Sequence, residues 1–310
     1  MKNIFKLVFT FTIISVTLMS CDKVEQPIKP EILIDTTLFA DGNWVDYPAP
    51  TFGSNTNTDR NLLLEDYTGH KCPNCPAAAI IAKDIELANP GRVFVASIHA
   101  GAGGNDGFQV IPSDCGTASN PNGEFCHDFR TDEATQYGIT FKPLGFVGNP
   151  YGNISRHTFS DFMFQYHNTW EAKTDELLLA NDLKVNIQAE SNFYEASNGG
   201  YLHIESQFLE NLSSNYNIVT YVIQNELVEW QDVAGTYVED YHHHNIFLGC
   251  IDGEAWGTSV ASSPQSGDIF ETVYSYVLPT GIAKEELHFL SYVYDVDTYE
   301  ILQVIKHDFN

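Results

Sequence analysis

The chain has 310 residues, 43% of them hydrophobic and 18% charged, which is enough to bury a sizeable core and to divide into two domains. Its 15 Lys and Arg face 41 Asp and Glu, for a formal net charge of -26. A surface of that sign repels phosphate backbones and anionic lipid heads, so nucleic acid is excluded as a partner.

Residues 1–20 read as an export signal. Lys2 and Lys6 form a positive start, and Leu7 to Met19 is an apolar stretch of 13 residues, too short to cross a bilayer. It ends in Leu18-Met19-Ser20-Cys21, which resembles the lipobox of bacterial lipoproteins. That resemblance implies that Cys21 is acylated and becomes the first mature residue, so the membrane is met through a lipid anchor. Each buried CH₂ of such an anchor contributes about 0.8 kcal/mol. Loss of Lys2 and Lys6 with the signal takes the net charge from -26 to -28. Export implies an oxidising compartment, where cysteines are read first as disulfide or redox partners. With Cys21 assigned to lipid, Cys72, Cys75, Cys115, Cys126 and Cys250 remain, an odd number.

Residues 21–58 carry Pro27, Pro30, Pro48 and Pro50 among Asn, Asp and Gly, and read as a tether with one short strand in Ile32 to Phe39. A first domain is expected over residues 59–180. Leu62-Leu63-Leu64 is a buried strand. Ala77, Ala78, Ile81, Ile85 and Ala88 then recur at helical spacing up to the stop at Asn89-Pro90-Gly91, and Val93 to Ile98 is a second strand. An insertion rich in Gly, Asn and Ser spans residues 100–127; a Cys115 to Cys126 bridge across it would be worth roughly 3 kcal/mol in the chain-entropy model. Further helices are expected from Thr131 to Tyr137, closed by Gly138, and along the stripe Phe159, Phe162, Met163, Tyr166, Trp170 and Leu177, with a proline-entered strand at Phe141 to Val147 between them. Residues 181–310 switch to a period of two. Strands at Leu183 to Ala189, Tyr201 to Leu209, Ile218 to Gln224, Ile269 to Val277, Leu287 to Tyr294 and Tyr299 to Ile305 imply an antiparallel β-sandwich.

The chemistry concentrates in Cys72-Pro73-Asn74-Cys75 at a helix start. Unpaired backbone N–H groups and the positive dipole end favour a thiolate there, and Lys71 adds a positive neighbour. Cys72 is therefore the candidate nucleophile and Cys75 the resolving thiol.

Leu64-Glu65-Asp66-Tyr67-Thr68-Gly69-His70-Lys71-Cys72-Pro73-Asn74-Cys75-Pro76 resembles the redox segment of a thioredoxin-fold protein. The resemblance implies that Asp66, six residues before Cys72, is the buried acid of that fold. It also implies that Pro143, after Tyr137-Gly138-Ile139, is its cis-proline. Lys71 stands where that family carries tryptophan. With its lipobox, Glu-Asp-Tyr-Thr-Gly-His-Lys-Cys-Pro-Asn-Cys-Pro segment and all-β second half, the chain is similar to the outer membrane protein 28 family of Bacteroidota lipoproteins, whose second domain has a segment like Tyr241-His242-His243-His244-Asn245. This implies a lipid-anchored outer-membrane protein.

The expected fold is thus an α/β thioredoxin-like domain followed by an all-β Ig-like sandwich. The expected function is thiol-disulfide exchange with envelope or surface proteins that carry disulfides, without an organic cofactor. The same residues also fit a surface-binding or adhesion protein in which the Cys72 to Cys75 bridge is structural. A metal at the CxxC lacks two ligands, since Cys115 and Cys126 do not form a second CxxC. His242 and His244 share a strand face that His243 leaves, and two imidazoles without a third ligand are read as no metal site. Cys250 shares parity with Ile246 and Leu248 and is read as a buried free thiol.

Overall fold

In a computed structural model, residues 34–100, 106–141, 150–160 and 162–309 are described. The first ordered unit is built as the apolar pattern requires. Strand β1 (Leu62–Tyr67) leads through a loop into helix α1 (Cys75–Ala88), which returns to strand β2 (Val93–Ile98), parallel to β1 with Leu62 opposite Val93. α1 stops at its C-cap Asn89, ahead of Pro90. The short α2 (Asp106–Gln109) and α3 (Asp132–Phe141) follow, then β3 (Tyr151–Ile154), antiparallel to β1, and the two-residue β4 (Gln165–Tyr166).

Gly138 lies inside α3, buried, instead of closing it. A glycine inside a helix carries a modest cost in backbone entropy. The aromatic stripe from Phe159 is not one helix. Ser155, Arg156 and Ser160 have φ of 49°, 52° and 57°, Tyr166 pairs with Tyr151, and α4 begins only at Trp170 and runs to Ala180. Phe162 and Tyr166 are exposed, so their spacing reflects no buried face.

The second half supplies β5 (Val185–Tyr194), β6 (Gly199–Phe208), β7 (Asn215–Val233), β8 (Thr236–Cys250), β9 (Thr258–Ser262), β10 (Ile269–Val277), β11 (Leu287–Asp295) and β12 (Ile301–His307). Among the described residues these strands form two sheets. The larger runs β12-β11-β7-β8-β2-β1-β3-β4, with β9 also on β7, and the smaller, antiparallel one runs β10-β6-β5. The fold is therefore mixed α/β with a second, antiparallel sheet. The large sheet is continuous through the parallel contact of Ser97 on β2 with Ile246 on β8.

Alternation distributes the core. Leu62 and Leu64 pack with Ala78, Ala82 and Ile85 of α1 and with Trp170 and Leu177 of α4. Leu63 and Tyr67 join Tyr137, Tyr221, Phe247 and Tyr292 in a core shared by the two halves of the chain. The small sheet packs Val185, Leu202, Ile204 and Tyr274 against Ile218, Val222, Phe289 and Val293 of the large one. The described part of the tether, residues 34–58, lies along the small sheet. The Ile34 to Phe39 stretch holds a 3₁₀ turn (Thr36–Leu38) instead of a strand, and Leu38 and Phe39 are buried beside Tyr194 and Tyr201.

Candidate functional site

β1 ends at the site. Pleating sends adjacent side chains to opposite faces, so Glu65 enters the shared core and Asp66 turns to the side of α1. From Thr68 the chain bends over α2. Gly69 lies so close to Phe108 and Gln109 that a Cβ there would meet their atoms at 2.7 Å, and Gln109 Nε2 donates to the Thr68 carbonyl at 2.6 Å. The loop then delivers Cys72, bonded to Cys75 with a Cα separation of 5.4 Å. Cys75, not Cys72, is the first residue of α1, and Cys72 sits one turn ahead of it. Lys71 extends its ammonium over the Phe125 ring, 5.2 Å from the centroid.

Asp66 and Cys75 line one cleft of about 320 Å³, together with Thr68, Lys83, His99 and His243. Asp66 is 1% exposed, and among the described residues neither carboxylate oxygen has a hydrogen-bond partner. Burial alone pushes its pKa up to about 7. Two buried imidazoles belong to the same region. His70 and His99 are 1% exposed, His70 with both ring nitrogens unpartnered among the described residues, and His99 stacks on Phe129 at 4.4 Å, with His243 on the same ring at 4.8 Å. Burial, then the charge of Lys71, lowers His70 to about 4, and burial lowers His243 to about 4, so these imidazoles are neutral at pH 7.

The site is roofed. β7 is far longer than the alternating pattern predicts and β8 is not among the strands it predicts; their distal part forms a hairpin whose turn, Ala234-Gly235, has φ of 52° and 86°. Asp232 N–H donates to the His70 carbonyl at 2.8 Å and Ala234 N–H to the Pro73 carbonyl at 2.9 Å. Gln231 Nε2 donates to the carbonyls of Cys72 at 3.1 Å and Gly69 at 3.4 Å. Cys72 is 4% exposed beneath this cover and Cys75 2%. The loop closed by the Cys115–Cys126 bridge flanks the hairpin, with Phe125 on Tyr237 at 5.0 Å.

Sequence reasoning missed a second buried constellation. Glu65 and Arg156, both fully buried, form a forked pair at 2.7 and 3.1 Å. Asn153 Nδ2 and Tyr221 Oη also donate to Glu65, each at 2.7 Å. Burial would raise the Glu65 carboxyl, but Arg156 and these hydrogen bonds outweigh it and hold it below its ordinary value. The guanidinium lies 5.0 to 5.3 Å from the rings of Tyr137, Phe141 and Tyr292. The sequence signal was a glutamate directly after three buried leucines.

Of the other expected site residues, Cys21 and Pro143 lie outside the described residues. His242 and His244 both approach Glu226, at 2.8 and 3.5 Å, and His243 faces inward. Among the described residues no group of three or more His, Cys, Asp or Glu side chains is placed to hold a metal. Cys250 is a buried free thiol whose pKa burial raises well above the ordinary range. Its parity is not that of Leu248, however. The register slips one residue between Val222 and Ile223, with Gly249 at φ 127°, so Cys250 joins Phe247 in the shared core.

The sequence profile of outer membrane protein Omp28 matches residues 140–310, more than half of the chain. The chain belongs to the Omp28 family. Membership places it in the cell envelope, at the outer membrane. The Cys72–Cys75 segment lies before the matched span. The fold is similar to that of HBP35 of Porphyromonas gingivalis, with a TM-score of 0.59 at 14% identity over 82% of this chain and 76% of that one. A domain of the outer membrane lipoprotein Omp28 from Porphyromonas gingivalis is 20% identical over 41% of this chain and 89% of its own, with a TM-score of 0.30. No curated protein matches the chain.

Proposed function

We propose that this Omp28-family protein is an outer-membrane lipoprotein, anchored through Cys21, that exchanges disulfides with envelope proteins through Cys72 and Cys75. In this reading residues 59–180 are a thioredoxin-like unit and residues 181–310 an Ig-like sandwich. The observation that carries the proposal is Asp66, a buried carboxyl with no partner among the described residues, in one cleft with Cys75. An unpaired buried acid is costly, and a pKa of about 7 suits it to give or take a proton at neutral pH.

A partner thiolate attacks Sγ of Cys72, the Cys72–Cys75 bond breaks, and Cys75 leaves as a thiolate that takes the proton of Asp66. The partner's second thiolate then attacks its own sulfur in the mixed disulfide and releases Cys72. The partner dithiol becomes a disulfide and the protein pair becomes a dithiol, two electrons having moved; the reverse sequence reduces a partner disulfide, with Cys72 as nucleophile. The resemblance to thioredoxin-fold proteins assigns Pro143, which lies outside the described residues, to shaping the docking edge.

A second reading is favoured by the 4% exposure of Cys72: a structural bridge in a surface-binding or adhesion protein. Titration of the mature protein with glutathione, read by alkylation and mass spectrometry, separates the two. A potential between about -270 and -120 mV, with Cys72 alkylated first, is expected for exchange. A potential below about -300 mV with slow alkylation would identify the structural bridge.

A further inference from the structure

Beyond the contact of Ser97 with Ile246, β8 parts from β2 and the β7–β8 hairpin projects past the sheet. Of residues 225–245 only Gln231 and His243 are buried, and both are polar. The hairpin tip is thus held on the redox loop by hydrogen bonds far more than by apolar packing.

We propose that residues 231–234 are an intramolecular strap that occupies the docking edge for an extended partner peptide and keeps the Cys72–Cys75 bridge covered until such a peptide displaces it. The docking half of this proposal rests on the exchange reading above.

The strap is strand as far as Val233, the end of β7, and enters the turn at Ala234. Asp232 and Ala234 are two residues apart, the period at which an extended chain presents successive N–H groups on one edge. They donate at 2.8 and 2.9 Å to the carbonyls of His70 and Pro73, which bracket Cys72. Asp232 lies opposite Tyr237 in the hairpin, yet its N–H is turned outward to the redox loop. In the proposal, these two loop carbonyls accept instead from the N–H groups of an extended partner segment, in the manner of recognition by strand addition. Gln231 completes the mimicry with its amide on the carbonyls of Gly69 and Cys72. Polar contacts of this kind can be exchanged bond for bond with a partner, whereas a buried apolar plug would have to be desolvated anew.

The strap is also clasped from the side. Glu229 meets His127 at 3.7 Å, Trp230 Nε1 donates to the Asn122 carbonyl at 3.4 Å, and Tyr237 rests on Phe125. Its turn is closed by Ala234 at φ 52°, a conformation that favours glycine. The partner fitted by this edge is a cysteine-bearing segment in extended form, from an unfolded chain or an exposed strand.

The test uses the oxidised mature protein and dithiothreitol, with both bridges followed by alkylation and mass spectrometry. Gln231→Ala removes the carbonyl cap, and Asp232→Pro deletes one docking donor that the hairpin ladder does not use. Each is expected to speed reduction of Cys72–Cys75 by about tenfold, the effect of one lost hydrogen bond. Ala234→Gly relaxes the turn and is expected to slow reduction by about two- to fivefold. Should Asp232→Pro not fold, the other two variants still move in opposite directions. Folded variants whose rates all stay within about twofold of the parent would overturn the strap.

Docking is tested with a dithiol peptide and its N-methylated twin, which lacks the N–H groups flanking its cysteine. The unmodified peptide is expected to reduce the bridge of Asp232→Pro faster than its twin does. Equal rates would overturn the docking role. If Gln231→Ala is reduced quickly but does not reactivate scrambled ribonuclease, the cover is supported and the exchange reading fails.

Discussion

Glu65 and Asp66 are neighbours on one strand, both buried, and their surroundings could hardly differ more. Glu65 faces the shared core, where a forked arginine, an amide and a phenol hold its charge. Asp66 faces α1, where no partner among the described residues reaches it. Burial pushes both carboxyls up, yet pairing drives Glu65 below its ordinary value while Asp66 rises to about 7. One acid is tied into the architecture and the other is left without a partner among the described residues.

The largest expected effect comes from making Glu65 resemble Asp66. Arg156→Ala leaves a buried carboxylate unpaired and should cost about 3–5 kcal/mol in urea unfolding with the bridges intact. Removing Asp66 acts in the opposite direction. Native Asp66 keeps its proton up to about pH 7, whereas the unfolded chain releases it near 3.8, so the native state binds the extra proton between those values. Stability therefore falls as pH rises through that window. Asp66→Asn should stabilise by on the order of 3 kcal/mol at pH 8 and by almost nothing at pH 4, the difference being the quantity to measure. Arg156→Lys keeps the charge but loses the fork and its ring contacts, and should cost about 2 kcal/mol. Tyr292→Phe removes a hydroxyl that accepts from Arg156 at 3.0 Å and should cost about 1 kcal/mol, detectable as a shifted urea midpoint.

Much of the strand-helix-strand unit was legible because its apolar residues follow one period and point one way. Leu62 to Leu64, the Ala and Ile spacing before Asn89, and Val93 to Ile98 all fold as their pattern requires. Ile269–Val277 has the bounds that alternation predicts. The distal hairpin was not legible, because a strand that buries only Gln231 and His243 carries no apolar alternation. Arg156 gave no sign of its role either, since its partner lies 91 residues away and a lone arginine in a polar turn looks solvated. The Phe159 to Leu177 stripe misled for a related reason. Backbone turned at Ser160 and the short strand Gln165–Tyr166 break a spacing that periodicity alone cannot tell from a helix face. One inserted residue in β8 was enough to move Cys250 to the opposite face from Leu248.

The chain separation between the Cys72–Cys75 loop and its roof also sets an order of events during synthesis. Gln231 lies 159 residues after Cys72, and an exported chain emerges amino terminus first. Contacts of such long range form late. The two thiols of the loop are therefore free to form their bridge before the hairpin exists to cover them. Oxidation first and closure second gives a protein that completes its fold with the bridge already made.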